Sequence, residues 1–205
     1  MQMTSKLQDF SIEKISLKIL EKMSHSIEID RIDYLKCKLG IETFLTNITK
    51  IPLIYLLAFM IGIPFQVFLF HFAYMSIRRY AFGAHCNSSV HCTIVSCVIL
   101  IGIPTAIIYF QISQIGLLLL CIINHLLLNQ YAPASTRKNG LVHFEIAKKM
   151  RYKKRVLLIN LVLSMIASVI PNIFLANLIV LGITVATLMV TPLMNNLFRN
   201  ERIEM

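Results

Sequence analysis

A chain of 205 residues that is 57% hydrophobic and 15% charged lacks the polar covering of a soluble domain, in which roughly a quarter of residues are charged. Its 20 lysines and arginines against 10 acidic residues give a net charge of +10, but they flank apolar runs and form no basic face, which excludes a nucleic-acid-binding domain. Residues 51–77, 80–136 and 156–198 carry no charge, and each run exceeds the ~20 residues needed to cross a bilayer. No regular series of alternating strands appears, so a β-barrel is excluded too. The expected fold is all-α: a polytopic helical membrane protein with N-terminal amphipathic helices and four to six membrane-embedded helices.

In chain order, Met3, Leu7 and Phe10, then Ile12, Ile15 and Ile19, recur at helical spacing with lysine and glutamate between them. That pattern suits a helix lying in the membrane interface or packing on the rest of the protein. The first 25 residues hold no apolar core of a cleavable signal. Asp30 is a candidate N-cap for a second helix carrying Ile32, Leu35 and Leu39. Residues 1–40 are therefore expected to form an amphipathic interfacial segment, and 41–205 a membrane-embedded domain.

Gly62-Ile63-Pro64 predicts a tight turn, with Pro64 opening the next helix. A first leg starting near Ile41 would carry Lys50 at mid-depth, at considerable cost. The alternative is a shallow hairpin over 51–77. Residues 93–110 and 114–131 predict a helical hairpin about Gln111-Ile112-Ser113. Tyr131-Ala132-Pro133-Ala134 ends a helix. A basic loop is expected to follow, carrying Arg137, Lys138, Lys148, Lys149, Arg151, Lys153, Lys154 and Arg155. Two further spans, 156–170 and 173–194, turn at Pro171-Asn172. The positive-inside rule then puts both termini and the 78–92 stretch in the cytoplasm, because every charged connection falls on one side.

That stretch, Arg78-Arg79-Tyr-Ala-Phe-Gly83-Ala84-His85-Cys86-Asn87-Ser88-Ser89-Val-His91-Cys92, gathers thiols, imidazoles, hydroxyls and paired arginines. A cysteine nucleophile needs its thiolate, and imidazole is a base suited to neutral pH. His85 and Cys92 are therefore the candidate base and nucleophile. In one unbroken helix, residues seven apart lie roughly 10 Å apart along the axis, too far for proton exchange. The pairing thus requires a helix break within 86–89. Gly83, and Ser88 or Ser89 as N-cap, supply the means, leaving Cys92 in the first turn of the next helix.

His85, Cys86, His91 and Cys92 have the ligand types of a zinc site, but adjacent residues point apart on any regular element, so neither metal nor cofactor is expected. Cys97 and Cys121 suit small core positions. His71 is expected to be satisfied by a neighbouring helix. A small membrane peptide transporter is the competing class, though no internal repeat supports it.

Arg78-Arg79, Gly83-Ala84-His85, Ser88-Ser89 and Cys92, with Leu39-Gly40 and Tyr131-Ala132-Pro133-Ala134 before a basic segment, resemble the accessory gene regulator B family of quorum-sensing membrane endopeptidases of Gram-positive bacteria. The resemblance covers roughly 35–205. It implies a cysteine endopeptidase in the bacterial cell membrane that removes the acidic C-terminal tail of a membrane-bound pro-peptide. It also implies that the enzyme helps close the remaining segment into a thiolactone or lactone ring. Carried over, His85 is the base, Cys92 the nucleophile, and Arg78 and Gly83 match positions important in the family. The basic residues Arg137, Lys138, Lys148 and Lys149 are candidates for holding the substrate's acidic tail. A homodimer is implied by the resemblance alone. Cys86 departs from the family pattern.

Overall fold

The computed structural model describes residues 14–22, 31–84, 89–134 and 146–197. After a helical segment over 14–22 come α1 (Arg31–Ile61), α2 (Pro64–Ala81), α3 (Ser89–Tyr109), α4 (Gln114–Tyr131), α5 (Ile146–Val169), α6 (Ile173–Leu188) and α7 (Pro192–Leu197). Among the described residues there is no β-strand, only an isolated bridge between Phe82 and Ala134. Among the described residues, three helical stretches are long and apolar enough to cross a membrane: Gly40–Ile61, His91–Tyr109 and Gln114–Tyr131. This is an all-α membrane protein.

The turns expected from sequence form where their residues dictate. Gly62, at φ +81°, closes α1: its N–H reaches Phe59 O at 3.1 Å and Ile63 N–H reaches Ala58 O at 2.9 Å. This left-handed cap satisfies carbonyls the helix end would otherwise leave open. Pro64, whose missing N–H costs nothing in a first turn, opens α2. Ser113 caps α4 by accepting from Gly116 N–H. Asn172 caps α6 by accepting from Phe174 and Leu175 N–H at 3.0 and 3.4 Å.

Helices α2 and α6 form the centre. Two apolar clusters share them: one joins α2 and α6 to α4 and α5, the other joins them to α1 and α3. At Gly182 on α6 a Cβ would lie 2.7 Å from Phe70 O and 3.0 Å from Ala73 Cβ on α2, so a small residue lets the two backbones approach. Polar pairs tie α4 to the centre and to α5: Asn124 Nδ2 donates to Thr184 Oγ1 of α6 at 2.9 Å, and Asn160 of α5 pairs with His125 at 3.3 Å. The outward faces stay apolar, with Phe59, Met60, Val98, Leu126 and Met165 exposed, as a lipid-facing surface requires.

Three expectations change, and one alternative left open is decided. The segment carrying Leu39 and the leg after Ile41 form one helix, Arg31–Ile61, since nothing between them breaks it; Asp30 lies outside the described residues. The segment 14–22 packs on the protein through buried Ser16 and Leu20, with Ser16 Oγ donating to Glu42 Oε1 at 3.3 Å. Lys148 to Arg155 lie on α5, not in a loop, because alanine, methionine, lysine and arginine are good helix formers and no breaker follows Ile146. The span expected over 173–194 ends at Leu188. Pro192 disfavours a helical residue before it and starts a new short helix, and α6 is a largely buried centre piece of 16 residues.

Candidate active site

Helix α2 stops because Phe82 and Gly83 leave helical space. Phe82 takes φ +57°, ψ −134°, and Gly83 φ +107°. Glycine adopts such values freely, whereas a bulky residue pays about 1–3 kcal/mol and needs neighbours to enforce it. The neighbours are present. Phe82 N–H still donates to Arg78 O at 3.1 Å. Its ring meets Tyr152 of α5 edge-on, centroids 5.6 Å apart. Arg78 turns its guanidinium over the helix end, Nη1 donating to Phe82 O and Nη2 to Ala84 O.

Two distant segments complete the turn. Ala84 N–H donates to Met189 O at 2.8 Å, just past the end of α6. Ala134 N–H donates to Ala81 O at 2.9 Å, bringing in the stretch that ends α4. Gly83 is buried between them: a Cβ there would collide with Met189 O and stand 2.5 Å from Arg78 Nη1. Only a residue without a side chain fits this backbone.

The chain is helical again from Ser89, the first residue of α3, so Cys92 stands in the first turn. Helix α2 thus ends before His85; the break expected within 86–89 falls on 86–88, outside the described residues, and Ser89 is already helical. His85, Cys86 and Ser88 lie outside the described residues, and so does the pairing of His85 with Cys92. The nearest described point to the histidine is Ala84, fixed on two sides by Arg78 and Met189. His91 is exposed beside a half-buried Cys92.

Cys92 meets a residue that local pattern did not offer as a site residue. Lys50 Nζ of α1 donates to Cys92 Sγ over 4.0 Å. Lys50 therefore sits level with the first turn of α3. The one signal in the sequence was its isolation at the start of a long apolar run. Deeper along α1 and α2, Tyr55 Oη and His71 Nδ1 are 3.2 Å apart, so His71 finds its partner on the neighbouring helix, as expected. Cys97 and Cys121 pack against the apolar clusters.

The basic part of α5 lies beside the turn. Arg155 stacks its guanidinium 5.6 Å from the Tyr80 ring, Arg79 lies 5.8 Å from the same ring, and Tyr152 contacts both Tyr80 and Phe82. Lys148 and Lys149 occupy the first turn of α5; Arg137 and Lys138 lie outside the described residues. Among the described residues no three His, Cys, Asp or Glu side chains gather as a metal site.

The pattern of the family described as Accessory gene regulator B matches residues 13–190. Accessory gene regulator protein B of Staphylococcus haemolyticus is 30% identical over 90% of this chain and 94% of its own length. The protein of the same name from Staphylococcus aureus is 33% identical over 80% of this chain and 86% of its own. That of Staphylococcus carnosus is 37% identical over 62% of this chain and 64% of its own. No solved structure matches. With 178 consecutive positions inside the family pattern, the chain belongs to the accessory gene regulator B family.

Proposed function

We propose that the chain is a membrane cysteine endopeptidase of quorum sensing, which cleaves the C-terminal tail from a membrane-bound autoinducing-peptide precursor and promotes thiolactone closure. The observation that carries this reading is the position of Cys92 in the first turn of α3, later in the chain than a turn that Arg78 and Met189 hold up to the residue before His85. The positive end of a helix favours a thiolate, and its open N–H groups suit a developing oxyanion.

In this mechanism His85 takes the Cys92 proton and the thiolate attacks the scissile carbonyl. The C–N bond breaks, the departing amine receives the proton, and an acyl-enzyme thioester remains. A substrate thiol then gives its proton to His85 and attacks the thioester. The ring thioester forms and Cys92 leaves as thiolate. One thioester replaces another, so the acyl bond keeps its energy, and a partly dehydrated site slows competing hydrolysis. The basic start of α5 holds the acidic tail. The site and both termini face the cytoplasm, and the partners are the pro-peptide, membrane lipid and a second copy of the chain.

Purified protein in proteoliposomes, given the pro-peptide alone, should release a shortened tail and a cyclic product detectable by mass spectrometry. Cys92→Ala and His85→Ala should abolish both while still inserting. Cys86→Ala should retain most activity. Intact peptide translocated without cleavage would favour a transporter instead. An impermeant thiol reagent should reach Ala147→Cys, in a protein otherwise lacking cysteine, only after the cytoplasmic face is opened.

A further inference from the structure

We propose that Lys50 is a catalytic residue, whose ammonium stabilises the Cys92 thiolate both when it attacks the substrate and when it departs from the thioester. The proposal deepens the endopeptidase reading and rests on Cys92 being its nucleophile.

Two observations carry it. The first is contact: Lys50 Nζ lies 4.0 Å from Cys92 Sγ, in part-buried surroundings, across 42 positions of sequence. The second is location. Lys50 stands within the apolar stretch Gly40–Ile61, with Ile48, Ile51 and Leu53 exposed around it on the lipid side. An ammonium in such a stretch is costly, and an ionisable residue there is a functional candidate by default. A neutral thiol is a weak acceptor and offsets little of that cost, whereas a thiolate is a full counter-charge.

Other described groups near the site are engaged elsewhere or exposed. Arg78, at the end of α2, is committed to the carbonyls of Phe82 and Ala84. On α1 and α2, Tyr55 and His71 are hydrogen-bonded to each other. On α3, His91 is exposed, and Cys97 packs against an apolar cluster. The start of α3 adds its own positive end at Cys92, with the same sign as the ammonium.

The division of labour is chemical. His85 takes and returns protons, while Lys50 exchanges none and acts as a fixed charge. A stabilised thiolate attacks somewhat less strongly but leaves more readily. Lys50 therefore favours the second half-reaction, transfer of the acyl group to the substrate thiol.

The test uses the full chain in proteoliposomes with Cys37, Cys86, Cys97 and Cys121 replaced by alanine, leaving Cys92 as its one thiol. Iodoacetamide alkylation of Cys92 is followed across pH in the Lys50 parent, Lys50→Met and Lys50→Arg. Methionine is similar in length and apolar, so it lightens the burden of insertion. The midpoint of the rate profile should rise by about one pH unit or more in Lys50→Met, a tenfold change in thiolate population worth about 1.4 kcal/mol. Arginine should restore most of it. Lys50→Met should also slow ring closure more than tail release. Two failures are distinguishable. Superimposable profiles of parent and Lys50→Met overturn the role of Lys50 and leave the endopeptidase reading standing. A Cys92→Ala protein that still cleaves overturns the endopeptidase reading, and the catalytic role with it.

Discussion

Ala84 donates its backbone N–H to the carbonyl of Met189 at 2.8 Å, tying the residue before His85 to the end of the buried helix α6. The contact explains why α6 must stop at Leu188. A helix continuing to 194 would have turned the Met189 carbonyl into its own ladder. Pro192 ends the helix early and frees that carbonyl for the turn. The buried centre of the fold and the candidate site are thus one mechanical unit.

Arg78 is the side chain that shapes this unit. Its two terminal nitrogens serve two carbonyls of the turn, which a planar fork does and a lysine point charge does not. Each such charge-assisted bond is worth about 1.5–3 kcal/mol. Arg78→Lys should therefore insert normally and lose cleavage by about tenfold or more, and Arg78→Ala should lose further. Cleavage rates in proteoliposomes check this. A fully active Arg78→Lys would mean that the turn is held without the guanidinium.

Gly83 gives a sharper contrast among glycines. Gly83→Ala places a Cβ at positive φ into Met189 O and Arg78 Nη1, so the turn must open. The strain alone costs about 1–3 kcal/mol, and cleavage should fall with it. Gly40 and Gly102 sit in helices with nothing within 4 Å of a built Cβ. Gly40→Ala and Gly102→Ala should be neutral or stabilise by about 0.5–1 kcal/mol. Thermal unfolding in detergent, measured beside activity, separates the two classes.

Much of the helical frame was legible because its signals are local. Gly62-Ile63-Pro64, Ser113 and Asn172 mark their turns through backbone freedom and side-chain caps, and each turn forms there. What was not legible depends on contacts far apart in sequence. Nothing near Lys50 names Cys92 as its partner. Nothing in Tyr131-Ala132-Pro133-Ala134 says that Ala134 will dock on Ala81 O. The basic run reads as a loop by its charge, yet helix propensity wins on α5.

Asn177 tests the frame apart from the site. Its Oδ1 accepts from Ile112 N–H at 2.9 Å, and its Nδ2 donates to Ile112 O at 3.1 Å, so one side chain satisfies both backbone polar groups of Ile112 in the α3–α4 turn. Asn177→Leu strips both partners from that turn and should destabilise by about 1–3 kcal/mol. The turn lies at the far end of α3, about 25 Å from Cys92 by helical rise. Cleavage per folded molecule should be nearly unchanged below the melting transition. A large fall in activity at unchanged stability would link the two ends of the bundle in a way the contacts do not provide.

The basic start of α5 gives the last prediction. Lys148, Arg151, Tyr152 and Arg155 share one helical face by their spacing of three, four and seven. Tyr152 and Arg155 already touch the Phe82 and Tyr80 rings. The same face therefore leads from the helix start toward the turn that precedes His85. A negatively charged substrate tail laid along it would meet Lys148 and Arg151 first, both exposed. Lys148→Glu with Arg151→Glu should raise KM for an acidic-tailed pro-peptide by about tenfold, the 1.4 kcal/mol that a pair of surface contacts supplies. The kcat should hold, because these charges act on the tail and not on the reacting carbonyl. Raising salt to about 1 M shortens the screening length to about 3 Å and should narrow the gap between variant and parent. A pro-peptide whose tail acids are replaced by amides should bind both proteins alike. Equal KM values for the acidic and the amide substrate in the parent would show that this face does not read charge at all.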